Sequence, residues 1–141
     1  MSKETAVDGP WDQKVSEHLV HFEPPDLFTI HLDGAVAREH IGTFASLLGR
    51  AQGTFYMIIS TAKLTSVDSQ AKRGVGELPR AAGIAYVGAS RQMKLILSLM
   101  DKVYTVLNYG KNSPITFVAT EEEAGQWVDD LRRRAKTSVR A

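Results

Sequence analysis

The run Phe55-Tyr56-Met57-Ile58-Ile59 constrains the fold of this chain most. It is apolar throughout, aromatic and β-branched, and too short for a buried helix. That composition suits a strand buried on both faces, which requires helices on both sides of a sheet. The chain turns polar at Ser60-Thr61. Thr65 and Asp68 have the spacing of a capping box, which predicts a helix starting near Ser66 or Val67. The unit is strand, short loop, helix. Its tip presents free backbone N–H groups, suited to an anion or a polar partner loop.

Strand and helix periods order the rest. His18-Leu19-Val20-His21-Phe22 reads as a first strand, Pro24-Pro25-Asp26 as a turn, and Leu27 to Leu32 as a second, antiparallel strand ended by Asp33-Gly34. Phe28, Ile30 and Leu32 alternate toward the core, with Thr29 and His31 opposite. Ile41, Phe44, Ala45 and Leu48 make the buried stripe of a helix from about Arg38 to Ala51. A weaker helix after Val67 buries Ala71, Val75 and Leu78 and stops at Pro79. Ile84 to Val87 is a fourth strand. Gly88-Ala89-Ser90 leads into a long helix through Leu107, punctuated by Asn108, Gly110 and Asn112. Its inner stripe is Met93, Ile96, Leu97, Met100, Tyr104 and Leu107. Leu95, Leu99 and Val106 fall together on its opposite side, a contact surface for a partner or a second copy of the chain. Ile115 to Val118 is the last strand. Thr120 and Glu123 form a capping box for a final helix with a core stripe of Ala124, Trp127, Val128 and Leu131. The expectation is an α/β fold: a mixed five-stranded sheet, opening with an antiparallel hairpin and continuing in strand–helix units, with four helices. Residues 1–14 read as a disordered lead on which only Trp11 docks, residues 15–137 as one domain, and residues 138–141 as a tail.

Composition removes several function classes. Net charge is +1 from 17 basic and 16 acidic residues, without the basic excess of a nucleic-acid binder. There is no cysteine, which excludes disulfides, thiolate metal sites and cysteine nucleophiles. The polar N-terminus has no signal-peptide pattern, and no run is long enough to span a bilayer, so a cytoplasmic location is expected.

Three stretches together resemble the STAS domain of sulfate transporters and anti-sigma factor antagonists, and within it the SpoIIAA-like branch. They are LFTIHLDGAV (Leu27 to Val36), IISTAKLTSVDSQA (Ile58 to Ala71) and IAYVGASRQMKLILSLMDKVYTV (Ile84 to Val106). The ending TEEEAGQW (Thr120 to Trp127) also looks like that branch. The resemblance implies a STAS/SpoIIAA-like fold and a non-catalytic role in bacterial regulation and signalling, by binding a regulatory protein. Asp68 and Ser69 match the Asp-Ser of the antagonists' signature. Ser60 stands where their strand-ending aspartate would be, Gln70 at the position of the regulatory phosphoserine and Ala71 at that of the glycine. Ser69, one residue earlier, is then the candidate phosphorylation site. The resemblance points to Thr65, Ser66, Asp68, Ser69 and Gln70 at the tip, with Ser90 and Arg91 on the neighbouring loop, as partner-binding residues.

No other constellation carries chemistry. His18, His21, His31 and His40 are the only histidines; His21 and His31, on the outer face of the hairpin, read as exposed strand histidines without a third metal ligand. Ser60, Thr61, Ser66 and Ser69 have no nucleophile elbow and no histidine nearby in the chain. Gly88-Ala89-Ser90 reads as a helix start rather than an anion site, and Arg132-Arg133-Arg134 with Lys136 and Arg140 as a solvated helix end. No cofactor, metal, nucleic-acid partner or catalytic activity is expected. The rival reading is a small-molecule or lipid carrier with an apolar pocket between helices and sheet.

Overall fold

The computed structural model describes residues 9–51, 53–107 and 113–140, without the side chains of 107 and 137–140. Residues 1–8 of the expected lead and the expected stop at Asn108, Gly110 and Asn112 lie outside the described residues, as do the side chains of Leu107 and Arg140. The elements are β1 (Trp11–Val15), β2 (His18–Glu23), β3 (Leu27–Val36), α1 (Arg38–Leu48), β4 (Tyr56–Val67), α2 (Ser69–Gly74), a 3-10 turn (Val75–Glu77), β5 (Ile84–Val87), α3 (Arg91–Leu107), β6 (Ile115–Val118) and α4 (Glu121–Arg140).

The sheet has six strands in chain order, not five. β1 to β3 are antiparallel, and β3 to β6 are parallel. The extra strand is β1, which takes up residues assigned to the lead. Its middle residues Asp12, Gln13 and Lys14 are exposed, while Trp11 stacks on Phe22 at 5.7 Å and meets Phe28 edge-on at 6.1 Å. α4 likewise runs on to Arg140, through residues assigned to a tail.

β3 and β4 are the longest strands, and both outrun the expected boundaries. They pair from Leu27↔Tyr56 to Val36↔Val67, with register shifts between His31 and Asp33 and between Gly34 and Ala35. Gly34 adopts φ +82°, which a side chain would oppose. Asp33-Gly34 is therefore an irregularity inside a strand, and Ser60 to Val67 continue the ladder instead of looping. β5 pairs only with residues 57–60 of β4. Beyond it β3 and β4 continue as a two-stranded ribbon.

Alternation along the strands separates two cores. Phe28, Ile30, Met57 and Tyr86 face Ile41, Phe44, Leu48, Met93 and Leu97 under α1 and α3. Tyr56, Ile58, Ala85 and Val87 face Ala124, Val128, Trp127 and Leu131 of α4. Gly83 permits the close approach of α4, because a Cβ there would collide with Leu131 and crowd Trp127. Thr120 and Glu123 cap α4 as the spacing predicts: Glu123 N–H donates to Thr120 Oγ1 at 3.2 Å, and Thr120 N–H to Glu123 Oε1 at 3.2 Å. Arg132 departs from its expected role as part of a solvated helix end. It lies within α4 and donates to both oxygens of Asp26, Nη2 to Oδ1 at 2.6 Å and Nε to Oδ2 at 3.3 Å. Its guanidinium also covers Tyr56. The pair ties α4 to the β2–β3 turn.

The inner stripe of α3 is oriented as its period predicts, with Met93 and Leu97 buried and Ile96, Met100 and Tyr104 half-buried. Leu97→Ala is therefore expected to cost about 2–5 kcal/mol in urea unfolding, whereas Leu99→Ala on the opposite side should stay within about 0.5 kcal/mol of wild type. Equal losses would mean the helix is turned differently.

Candidate functional site

α3 starts on a side-chain cap. Ser90 Oγ accepts from Met93 N–H at 3.1 Å, so Ser90 closes the helix N-terminus and Arg91 is its first residue. Neither sits on a free loop. On the solvent side of α3 stand Leu95, Leu99, Val103 and Val106, exposed at 65%, 62%, 44% and 75%. At about 100° per residue they fall within about 80° of arc, with Arg91 and Lys102 along one edge. Val103 joins the three residues read from the sequence. Lys94, also exposed, reaches toward the ring of Phe117. No carboxylate shares this face: Asp101, the acidic residue of α3, turns inward and is half-buried. The result is an apolar seam bordered by cations.

The β4–α2 tip is built otherwise than the capping-box spacing suggests. Asp68, not Thr65, caps α2, its Oδ1 accepting from Gln70 N–H at 2.9 Å. α2 begins at Ser69 and spans 6 residues. The cap uses one of the amides that an anion would need, and so short a helix offers no anion site of its own. Thr65, Ser66, Asp68, Ser69 and Gln70 are all exposed. The β5–α3 corner meets β4 earlier in the chain: a Cβ on Gly88 would lie 3.3 Å from that of Ala62. At about 3.3 Å per residue, Thr65 and Asp68 stand about 10 and 20 Å farther along the strand path. The structure thus gathers Leu95, Leu99 and Val106 on one face, and sets the tip residues at a separate station from Ser90 and Arg91.

Behind α3 lies an apolar cavity of about 110 Å³ between the sheet and α1, the 3-10 turn and α3. Its floor includes buried Ile30, Met57 and Leu97, and its outer wall half-buried Leu78, Pro79, Met100 and Asp101.

The histidines do not behave as a set of exposed strand residues. His18 is fully buried and lies against His40 and Phe44. Its Nδ1 accepts the Asp33 N–H at 3.0 Å, at the first register shift of the β3–β4 ladder. That bond assigns the ring hydrogen to Nε2, which donates to His40 Nδ1 at 3.3 Å; the same His40 nitrogen also accepts from Ala37 N–H at 3.0 Å, closing the start of α1. His21 pairs with Asp12 at 2.5 Å, and His31 lies 3.9 Å from Glu121. No group of three metal-ligating side chains occurs among the described residues. A fully buried histidine could have been suspected from its place in an alternating strand, where His18 shares a face with Val20 and Phe22.

No family model matches the chain, and no curated protein sequence matches it. Among solved structures it is similar to the anti-sigma factor antagonist SpoIIAA in its unphosphorylated form, at 17% identity and a TM-score of 0.48, over 86% of this chain and 98% of that one. It is also similar to an uncharacterised DUF3478-family protein with a SpoIIAA-like fold from Shewanella loihica PV-4, at 14% identity and a TM-score of 0.48, over 84% and 91% of the two chains. No helix among the described residues is long and apolar enough to cross a membrane.

The buried pair carries a pH dependence. Burial first, and then the charge of His40, hold the His18 pKa below its ordinary value, with weaker opposing effects from the Ala35 backbone, Asp33 and Glu17. The unfolded chain takes up that proton at about pH 6.5, where the folded chain still refuses it. The stabilisation is thus complete above that pH and is lost as pH falls below it. Urea unfolding should show stability declining from pH 7 to 5, and an NMR titration should place His18 below the ordinary histidine value of about 6.5. A His18 that titrates at or above about 6.5 would remove this contribution.

Proposed function

We propose that this chain is a non-catalytic regulatory module that binds a protein partner, with the outer face of α3 as the centre of the contact and the β4–α2 tip as a polar outlying part. The exposure of Leu95, Leu99, Val103 and Val106 in one seam carries this reading. Scattered apolar residues are ordinary on a protein surface, but a contiguous stripe marks a contact. The border of Arg91 and Lys102, with no carboxylate on the face, favours a partner whose own apolar stripe is rimmed by acidic residues. The same charges disfavour two copies of α3 packed face to face, which would bring like charges together. At the tip, exposed Ser69 and Gln70 supply hydrogen-bonding groups, while the Asp68 carboxylate is held by its own helix. Gln70 has no hydroxyl to receive phosphate, so binding is constitutive. A phosphate on Ser69 would stand beside Asp68 and turn about 100° away from the direction of the next residue.

Replacing Leu99 by a photo-reactive phenylalanine in the native cells tests the docking face. A single discrete adduct with another protein is expected on irradiation, lost when Leu95→Lys is added and weakened several-fold by Gln70→Ala. An adduct with a second copy of this chain would replace the reading by homo-oligomerisation, and no discrete adduct would end it. Intact-mass analysis addresses the switch separately. The native protein should be unphosphorylated, and a substantial fraction carrying phosphate at Ser69 would overturn constitutive binding.

A further inference from the structure

The outer positions of α3 follow a regular spacing. Gln92, Leu95, Leu99, Lys102 and Val106 succeed one another at steps of three, four, three and four residues, and all five are exposed. That alternation averages about 3.5 residues per turn, the repeat of a helix that packs lengthwise against a second helix. Leu95, Leu99 and Val106 are its apolar members, and Val103 flanks them one turn beyond Leu99. At about 1.5 Å per residue the row from Leu95 to Val106 is about 17 Å long. A narrow row of this length matches a partner helix better than a flat surface.

Lys102 interrupts the row. It stands in line with Leu95, two turns farther along α3, and the positions one turn to either side of it, Ser98, Leu99, Thr105 and Val106, carry no carboxylate. The adjacent Asp101 is half-buried and turned inward. A wholly apolar helix laid over the row would cover this cation without a counter-charge, which is costly. A facing carboxylate removes that cost and fixes the register of the two helices, as a single polar residue inside such a seam does. We propose that the partner surface is one amphipathic α-helix, packed lengthwise on α3, whose apolar stripe is interrupted by an aspartate or glutamate facing Lys102. This inference rests on the reading of the outer face of α3 as a contact, and adds the form, the register and the charge of what it contacts. A second copy of α3 does not meet the description, because its own row of Gln92, Leu95, Leu99, Lys102 and Val106 holds no acidic residue.

Photo-reactive phenylalanine placed at Leu95, Leu99 and Val106 in turn, in the native cells, with each adduct mapped by mass spectrometry, tests the assignment. The three attachment points are expected in one segment of one partner chain, in sequence order forward or reversed and on one helical face. An aspartate or glutamate should lie between the points reached from Leu99 and Val106. Lys102 is exposed, so its replacement leaves the core intact. Lys102→Leu completes the apolar row and would strengthen contact with an uninterrupted stripe, whereas a facing carboxylate makes the adduct yield at Leu99 fall several-fold. Lys102→Glu should abolish the adduct, and changing the partner's facing acid to lysine should restore it. Attachment points scattered over separate segments, or a yield that holds or rises with Lys102→Leu, would overturn the helix and its carboxylate while leaving a contact on this face. No protein adduct from any of the three positions, or adducts only with lipid or with a second copy of the chain, would end the underlying reading together with this one.

Discussion

The parallel ladder between β3 and β4 is the constraint on which the other elements depend. It spans Leu27 to Val36 against Tyr56 to Val67 and is longer than any other pairing in the sheet. Its first half carries β2 on one side and β5 on the other, so both strands there are central: β4 is apolar on both faces, while β3 keeps half-buried Thr29 and His31 opposite Phe28 and Ile30. Its second half has lost those neighbours. The register shifts near Asp33 and Gly34 mark that change, and a shift in a ladder leaves amides without their regular partners. His18 takes the Asp33 amide. The imidazole is therefore a structural acceptor, and its link to His40 carries the same network into the start of α1. A histidine committed in this way on both nitrogens has no free site for a metal or for general-base work.

From this ladder follow the two unlike faces of α3. β5 and β6 are only four residues each, too short to be covered by more than one helix on either side. α4 fills one side, and α3 covers the other. Nothing among the described residues packs outside α3, so the side turned away from the sheet remains open although it is apolar. Arg132, bonded to Asp26, holds α4 against the turn that begins β3. Outside the core, the contacts of α3 include the Tyr104 hydroxyl on the Leu78 carbonyl and the Lys94 contact with Phe117. The sheet thus takes the inner stripe of α3, and its outer apolar seam stays exposed.

Much of the fold was legible because its signals are local. The capping box at Thr120 and Glu123, the stripe of α4, the inner and outer sides of α3 and the hairpin turn at Pro24-Pro25-Asp26 each depend on residues a few positions apart. The order of the elements from β2 onward was legible from strand and helix periods together. What escaped depends on partners far away in the sequence. β1 reads as a polar lead because an edge strand buries little, and its anchors, Trp11 and Val15, matter only once Phe22 and Phe28 are beside them. Asp33-Gly34 has the composition of a strand end, and only the pairing with Lys63 and Leu64 shows the strand continuing. Thr65 and Asp68 have capping-box spacing, but Thr65 belongs to the ladder, and the cap falls to Asp68.

The residues expected at the site divide along the same line. Leu95, Leu99 and Val106 were legible because a helix period alone decides which side they take, and the sheet fixes the other. The tip residues were placed by resemblance, and the ribbon carries them past the β5–α3 corner, so Ser90 and Arg91 do not stand beside them.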